Sequence, residues 1–197
     1  MNYYISDLHL FSKDQIDNGG PNYDGRPYKT LEEMHKDLSS RWNKKITNGD
    51  TVYILGDISM HGKNEQLIAL VAQLKGRKIL IQGNHDDLSD YRYKQLFEQI
   101  YDYKEIYDCC DGKNYRLILC HYPILMWKGQ HRGTILLYGH THQTAEDAFF
   151  QECLQIMNQR KDLRHEGDPI FRAINVGCMR PCMDYEPRTL KELLETI

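Results

Sequence analysis

Short apolar runs alternate with polar turns along the chain, and the runs follow two different periods. Those at Asn2–Ser6, in DTVYILGD (50–57), in RKILIQGNHD (77–86) and at Ile135–Tyr138 are apolar at almost every position and too short for a helix. They read as strands covered on both faces. Other apolar residues recur at helical spacing. Leu31, Met34, Leu38, Trp42 and Ile46 follow the TLEE capping pattern at Thr30, and Leu67, Leu70, Val71 and Leu74 mark a second helix over 64–75. Further helices are expected over 92–99, 145–160 and 189–195. Tyr101–Asp108 and Tyr115–Cys120 flank DGKN as a pair of strands, and AINVG (173–177) is the last strand. Polar loops fill the gaps, the longest running past Asp7 through NGGPNYDGRP to Pro27. Strands alternating with helices specify an α/β fold, and the strand-rich second half adds a second, mixed sheet. The expected architecture is a two-sheet β-sandwich flanked by helices.

The ends of the apolar runs carry the chemistry. Asp7 and His9 follow the first, Asp57 follows YILG, and Asn84, His85 and Asp86 follow ILIQG. His121 follows LILC, and His140 and His142 follow LLYG. Open α/β sheets bind ligands beyond the carboxyl ends of their strands. Five strands each delivering a carboxylate, carboxamide or imidazole there form a donor set without thiolate. Such a mixed nitrogen and oxygen shell suits Mn, Fe or Zn. Two such ions about 3.5–4 Å apart, bridged by a carboxylate, polarise a phosphoryl group and acidify a bound water.

D-x-H at Asp7 and His9, G-D at Asp57, G-N-H-D at 83–86, the single His121 and G-H-x-H at 139–142 occur in the order of the calcineurin-like metallophosphoesterases, and the chain resembles that family. The resemblance implies a metallo-dependent phosphatase-like sandwich with the metal site at the C-terminal ends of the strands. It implies that Asp7, His9 and His142 hold one divalent ion, that Asn84, His121 and His140 hold the other, and that Asp57 bridges them. His85 would face the substrate, binding phosphate or protonating the leaving oxygen, with Asp86 orienting its ring. The implied reaction is hydrolysis of a phosphomonoester or phosphodiester of a small or nucleotide-type substrate by metal-bound hydroxide. A single domain over 1–197 is expected, with a helical insertion at about 144–171 relative to the plainest members of the family.

Composition narrows the alternatives. The net charge is -3, with 25 Lys and Arg against 28 Asp and Glu. A nuclease would profit from a basic field, so DNA or RNA is a less favoured substrate. A non-catalytic scaffold binding protein partners is the reading from another class, and it predicts missing ligands where this chain has the whole set. No apolar run has the length of a membrane span, and no signal-peptide pattern opens the sequence. A cytoplasmic protein is therefore expected, its six cysteines present as thiols. Arg26, in the loop after His9, is the leading cationic candidate for a substrate phosphate. Tyr23, Tyr28 and Tyr122 lie near the proposed site loops, where an exposed ring could stack on a base or sugar.

Overall fold

A computed structural model describes residues 1–20 and 23–196. Pro21 and Asn22 of the expected loop, and Ile197, lie outside the described residues. The first sheet takes β1 (Asn2–Ile5), β2 (Thr51–Ile54), β3 (Arg77–Ile81) and β4 (Gln99–Tyr101) as parallel neighbours. The second contains β5 (Tyr103–Cys110), β6 (Lys113–Cys120), β7 (Ile135–Tyr138) and β8 (Ala173–Asn175). There β5 and β6 form an antiparallel hairpin while β6, β7 and β8 run parallel. A two-residue strand, β9 (Arg188–Thr189), closes the first sheet antiparallel to β1, giving the order β4-β3-β2-β1-β9. Ser6 bridges to Gly177 and joins the two sheets where their strands end.

Alternation along each strand explains the layers. Tyr4 stacks on Tyr53, and its hydroxyl donates to Asp108 of β5, so these rings face the opposite sheet. Leu117, Leu119, Ile135, Leu137 and Ile174 belong to the same central core. Their neighbours Ile118, Leu136, Tyr138 and Ala173 point the other way into a second cluster. Helices α1 (Leu31–Lys45) and α2 (Glu65–Gln73) cover the first sheet, burying Met34, Leu38, Trp42, Leu67 and Val71. Helix α4 (Ala145–Gln159) buries Phe150, Leu154 and Met157 against the second. It is the crossover that parallel β7 and β8 require, so the helical stretch after His142 covers a sheet face.

Local chemistry sets the helix ends. Thr30 Oγ1 accepts from the Glu33 amide as expected, but the Glu33 carboxylate reaches back to the amide of Lys29. Two short strands escape the periodicity reading. The helix expected over 92–99 is the single turn α3 (Tyr91–Lys94), and Gln99–Tyr101 is strand β4. Thr189 ends β9 and also caps α5 (Leu190–Leu194) through a complete capping box with Glu192.

Candidate metal centre

Each strand hands its polar residues to a tight turn, and the turns are locked together by backbone bonds. The Asp7 amide donates to Gly56 O at 3.1 Å, His9 N to Asp57 O at 2.9 Å and Gly139 N to His121 O at 2.9 Å. Gly56 has φ +87, and a Cβ there would run into the His121 ring and the Gly83 backbone. The loops are strained. Asp7, His9, Asp57, His140 and His142 have φ of 56, 46, 54, 71 and 48°. Each non-glycine residue in this left-handed region costs about 1–3 kcal/mol, and such residues cluster where function over-determines the backbone.

The strain gathers two groups of donors. Asp7, His9 and His142 offer ligand atoms within 4.8 Å of one another, and so do Asp57, His121 and His140. His9 Nε2 lies 3.0 Å from His142 Nε2. Asp57 Oδ2 faces both groups, 3.7 Å from His9 Nε2 and 3.4 Å from His121 Nε2. Asn84 Oδ1 lies 3.1 Å from His121 Nε2. Among the described residues all seven expected ligands thus meet at one place.

The donor set fits divalent cations on its own chemistry. His121 is fully buried, and its Nδ1 is 2.7 Å from Leu55 O, which fixes the proton on Nδ1. Its Nε2 lone pair then points at two oxygens, those of Asn84 and Asp57. A cation among the three reconciles this arrangement; in its absence a proton on the ring or a turned Asn84 carboxamide would do so. Burial opposes that proton, but the hydrogen bond to Asp57 and the charges of Asp7 and Asp57 outweigh it, so the pKa is raised. The other rings move down. Burial, then the charges of His142 and Arg26, hold His9 well below the ordinary histidine value, and burial with the charge of His121 lowers His140. Burial pushes the Asp57 carboxyl up, yet its bonds to His121 and to the His85 amide bring it down to about 2. His9 and His140 therefore present neutral imidazoles and Asp57 an ionised carboxylate, the forms in which they ligate metals, while a cation at His121 Nε2 would have to displace the proton that Asp7 and Asp57 favour there.

Two expected roles are corrected. Arg26 does not reach a substrate: it is 1% exposed, and its guanidinium is spent on the protein. It donates to Asp7 O at 2.7 Å, Leu8 O at 2.8 Å and the Asp24 carboxylate at 3.0 Å. Asp86 shows no bond to the His85 ring. Its carboxylate accepts three buried amides, those of Asp57, Ile58 and Gly83, each at 2.9 Å. Burial outweighs these bonds and pushes its pKa up to about 6. It ties the Gly56–Asp57 turn to the Gly83–Asn84 turn. His85 is half-buried at the pocket wall, its ring 5.5 Å from that of His9.

Asp24 is the residue that sequence reasoning missed. Its carboxylate lies 2.9 Å from His142 Nδ1 and also holds Arg26. Burial would raise its pKa, but the bond to His142 and the Arg26 charge prevail and lower it. No local signal separates it from Asp14 and Asp17 in the same loop. Of the three tyrosines, Tyr23 lines the pocket, whereas Tyr28 is buried and donates to Asp37. Tyr122 is exposed, its ring 4.8 Å from His140. Arg180 pairs with Asp147 at 3.1 Å.

The model of the calcineurin-like phosphoesterase family matches residues 3–170. The chain belongs to that family. This calcineurin-like phosphoesterase is 31% identical over 166 residues to the Gene 66 protein of Mycobacterium phage D29, covering 71% of this chain and 77% of the phage protein. It is 29% identical over 148 residues to an uncharacterized protein of Methanocaldococcus jannaschii, covering 75% of this chain and 72% of that one. In fold it is similar to a protein of unknown function from Aquifex aeolicus, with a TM-score of 0.67 at 24% identity over 100% of this chain and 99% of the other. The family is one of metal-dependent phosphoester hydrolases. The phosphoesterase has two groups of side chains able to hold metal. Among its described residues no helix is long and apolar enough to cross a membrane.

Proposed function

We propose that this phosphoesterase hydrolyses small phosphodiesters with two divalent cations, Mn, Fe or Zn. The observation that carries the reading is the placement of Asp57 Oδ2 between the donor groups Asp7, His9, His142 and Asn84, His121, His140. When bound, the cations would polarise the phosphoryl group and acidify a water. The protein supplies the rest. Asp57 and Asp7 offset the cationic charge, and the hydrogen bonds behind His121 and His142 fix those rings as acceptors at Nε2. His85 stands beside the ligands with its ring open to the pocket, placed to bind a phosphoryl oxygen or to give a proton to the leaving oxygen.

A diester is favoured over a monoester by charge. The pocket at the site has a volume of about 340 Å³, and its lining residues include no lysine or arginine. Arg26 and Arg180, the nearest candidates in sequence, are committed to Asp24 and Asp147. A monoester dianion brings one more negative charge than a diester, and no fixed guanidinium or ammonium meets it. The volume lies at the low end of small-ligand sites, about 300–1,000 Å³, which suits a small ester better than a polymer.

The test is steady-state hydrolysis of bis(p-nitrophenyl) phosphate against p-nitrophenyl phosphate after loading with Mn, Fe or Zn, with metal content measured in parallel. The expected result is two metals per chain, faster hydrolysis of the diester, and loss of both metal and turnover in Asp57→Asn. Turnover of neither ester by the loaded protein refutes the activity, and faster turnover of the monoester refutes the diester preference.

A further inference from the structure

The turn from Gly139 to His142 carries one histidine of each donor group: His142 belongs with Asp7 and His9, and His140 with Asp57 and His121. Both histidines have left-handed backbone, which a non-glycine residue keeps only where its surroundings over-determine it. The two halves of the turn are held by different parts of the protein. On one side His140 N donates to the Asp7 carboxylate at 3.1 Å and Gly139 N to His121 O at 2.9 Å, so that half hangs on other expected ligands. On the other side the backbone is held by residues that the hydrolytic chemistry does not use. Asn175, the last residue of β8, donates from Nδ2 to His142 O at 3.1 Å and to Asp147 Oδ1 at 2.8 Å. Thr141 Oγ1 donates to the same Asp147 oxygen at 2.9 Å. Asp147 lies in the first turn of α4 and is 4% exposed. It also takes the Tyr138 hydroxyl at 2.8 Å and pairs with Arg180 at 3.1 Å. Helix capping does not account for it, because Thr144 already caps α4 by accepting from the Glu146 amide. The Asp147 carboxylate instead gathers donors from β7, the ligand turn, β8 and the segment after β8.

We infer that Asp147 is a positioning residue for one of the two cations: through Thr141 and Asn175 it sets where His142 stands opposite His9, while His140 is held independently of it. The inference rests on the two-cation reading and adds that the two sites can be weakened separately, the site of Asp7, His9 and His142 being governed from α4. Asp24 orients the His142 ring from Nδ1, and the Asp147 cluster fixes the backbone that carries the ring. A group behind a ligand, once removed, weakens metal affinity about 10- to 100-fold. Because Asp147 acts through the backbone rather than on the ring, the low end of that range applies, and it applies to one site only.

The test is calorimetric titration of manganese into wild type, Thr141→Val, Thr141→Ser and Asp147→Asn, which needs no turnover. Thr141→Val removes the hydroxyl that reaches Asp147, and Thr141→Ser keeps it. Thr141→Val and Asp147→Asn should each leave one binding event unchanged and weaken the other about tenfold, and Thr141→Ser should bind as wild type does. Electron paramagnetic resonance then identifies the weakened site. With one manganese bound, the Thr141→Val spectrum should match that of His9→Ala, which breaks the same donor group, and differ from that of Asn84→Ala, which breaks the other. Unchanged binding in Thr141→Val or Asp147→Asn, equal weakening of both events, a match to Asn84→Ala, or a Thr141→Ser as weak as Thr141→Val overturns the inference. If wild type binds a single manganese, the two-cation reading fails. The positioning role then stands when Thr141→Val weakens that one ion and Thr141→Ser restores it, and falls when they bind alike.

Discussion

Asp24→Asn separates the two jobs that the structure gives this carboxylate. The side chain keeps its size and one acceptor oxygen but loses its charge. In the native protein Asp24 lies 2.9 Å from His142 Nδ1 and 3.0 Å from Arg26 Nε, and the two side chains of the acid and the guanidinium are 3% and 0% exposed. Without the carboxylate, Arg26 is a buried charge facing neutral acceptors alone, chiefly the carbonyls of Asp7 and Leu8. Breaking one side of a buried pair costs about 3–5 kcal/mol. The carboxamide oxygen recovers one hydrogen bond, worth about 1 kcal/mol. The metal-free protein should therefore lose about 2–4 kcal/mol, read by urea unfolding in a chelator. Metal binding adds a separate effect. Removing the carboxylate behind a ligating histidine weakens metal affinity about 10- to 100-fold, read by calorimetric titration of manganese. Arg26→Met in the same background should recover part of the stability loss, because it removes the stranded charge. Unfolding within about 0.5 kcal/mol of wild type, with unchanged manganese affinity, would refute both halves of the argument.

Two other outcomes are expected. His85→Ala should keep its metal content, since His85 lies outside both donor groups, yet slow diester turnover by about 10²–10⁴-fold if the ring is the proton donor; undiminished turnover contradicts that role. Glu192 is half-exposed: burial raises its pKa, but the bonds from Lys45 and Thr189 prevail and bring it down to about 2. A carboxyl depressed in the folded state stabilises at pH values above its unfolded pKa and loses that contribution as pH falls toward its folded one. Glu192→Gln should thus unfold at lower urea than wild type at pH 7, with the gap closing between about pH 4.5 and pH 2. A gap that persists at pH 2 shows that the charge was not its source.

The donors were legible in the sequence because strand ends can be read from composition. An apolar run that stops at Asp, Asn or His declares both a strand and what stands at its mouth, and the seven expected ligands do meet. Elements set by register alone were not legible. Gln99–Tyr101 pairs with β3 through backbone bonds that leave no alternation in so short a stretch, and β9 is only two residues long. The sequence also misdirected the reading of Arg26 and Asp86. A cation in a loop near a ligand suggests phosphate, and an acid beside His85 suggests an oriented imidazole. What decides each case is burial, which neither spacing nor residue type reports. Arg26 is sealed in by Asp24, a residue with no distinguishing local signal, and Asp86 turns inward to three amides.

These buried charges and the strained ligand turns are parts of one arrangement. Five of the residues around the metal centre hold left-handed backbone that a non-glycine residue avoids. Carbonyls and amides in such turns point away from the regular ladder and need partners inside the protein. Arg26 takes the carbonyls of Asp7 and Leu8, Asp86 takes the amides of Asp57, Ile58 and Gly83, and the Asp7 carboxylate takes the amide of His140. A hydroxyl or carboxamide offers at most two donors or one acceptor oxygen; a guanidinium offers five donors and a carboxylate two acceptor oxygens, so each satisfies two or three such groups from a single position. That capacity explains why ionisable residues sit where an α/β core would otherwise be apolar. It also makes the strain conditional. Without Arg26 or Asp86 those carbonyls and amides lose their partners, and the turns that carry Asp7 and Asp57 lose a support although no ligand itself is changed.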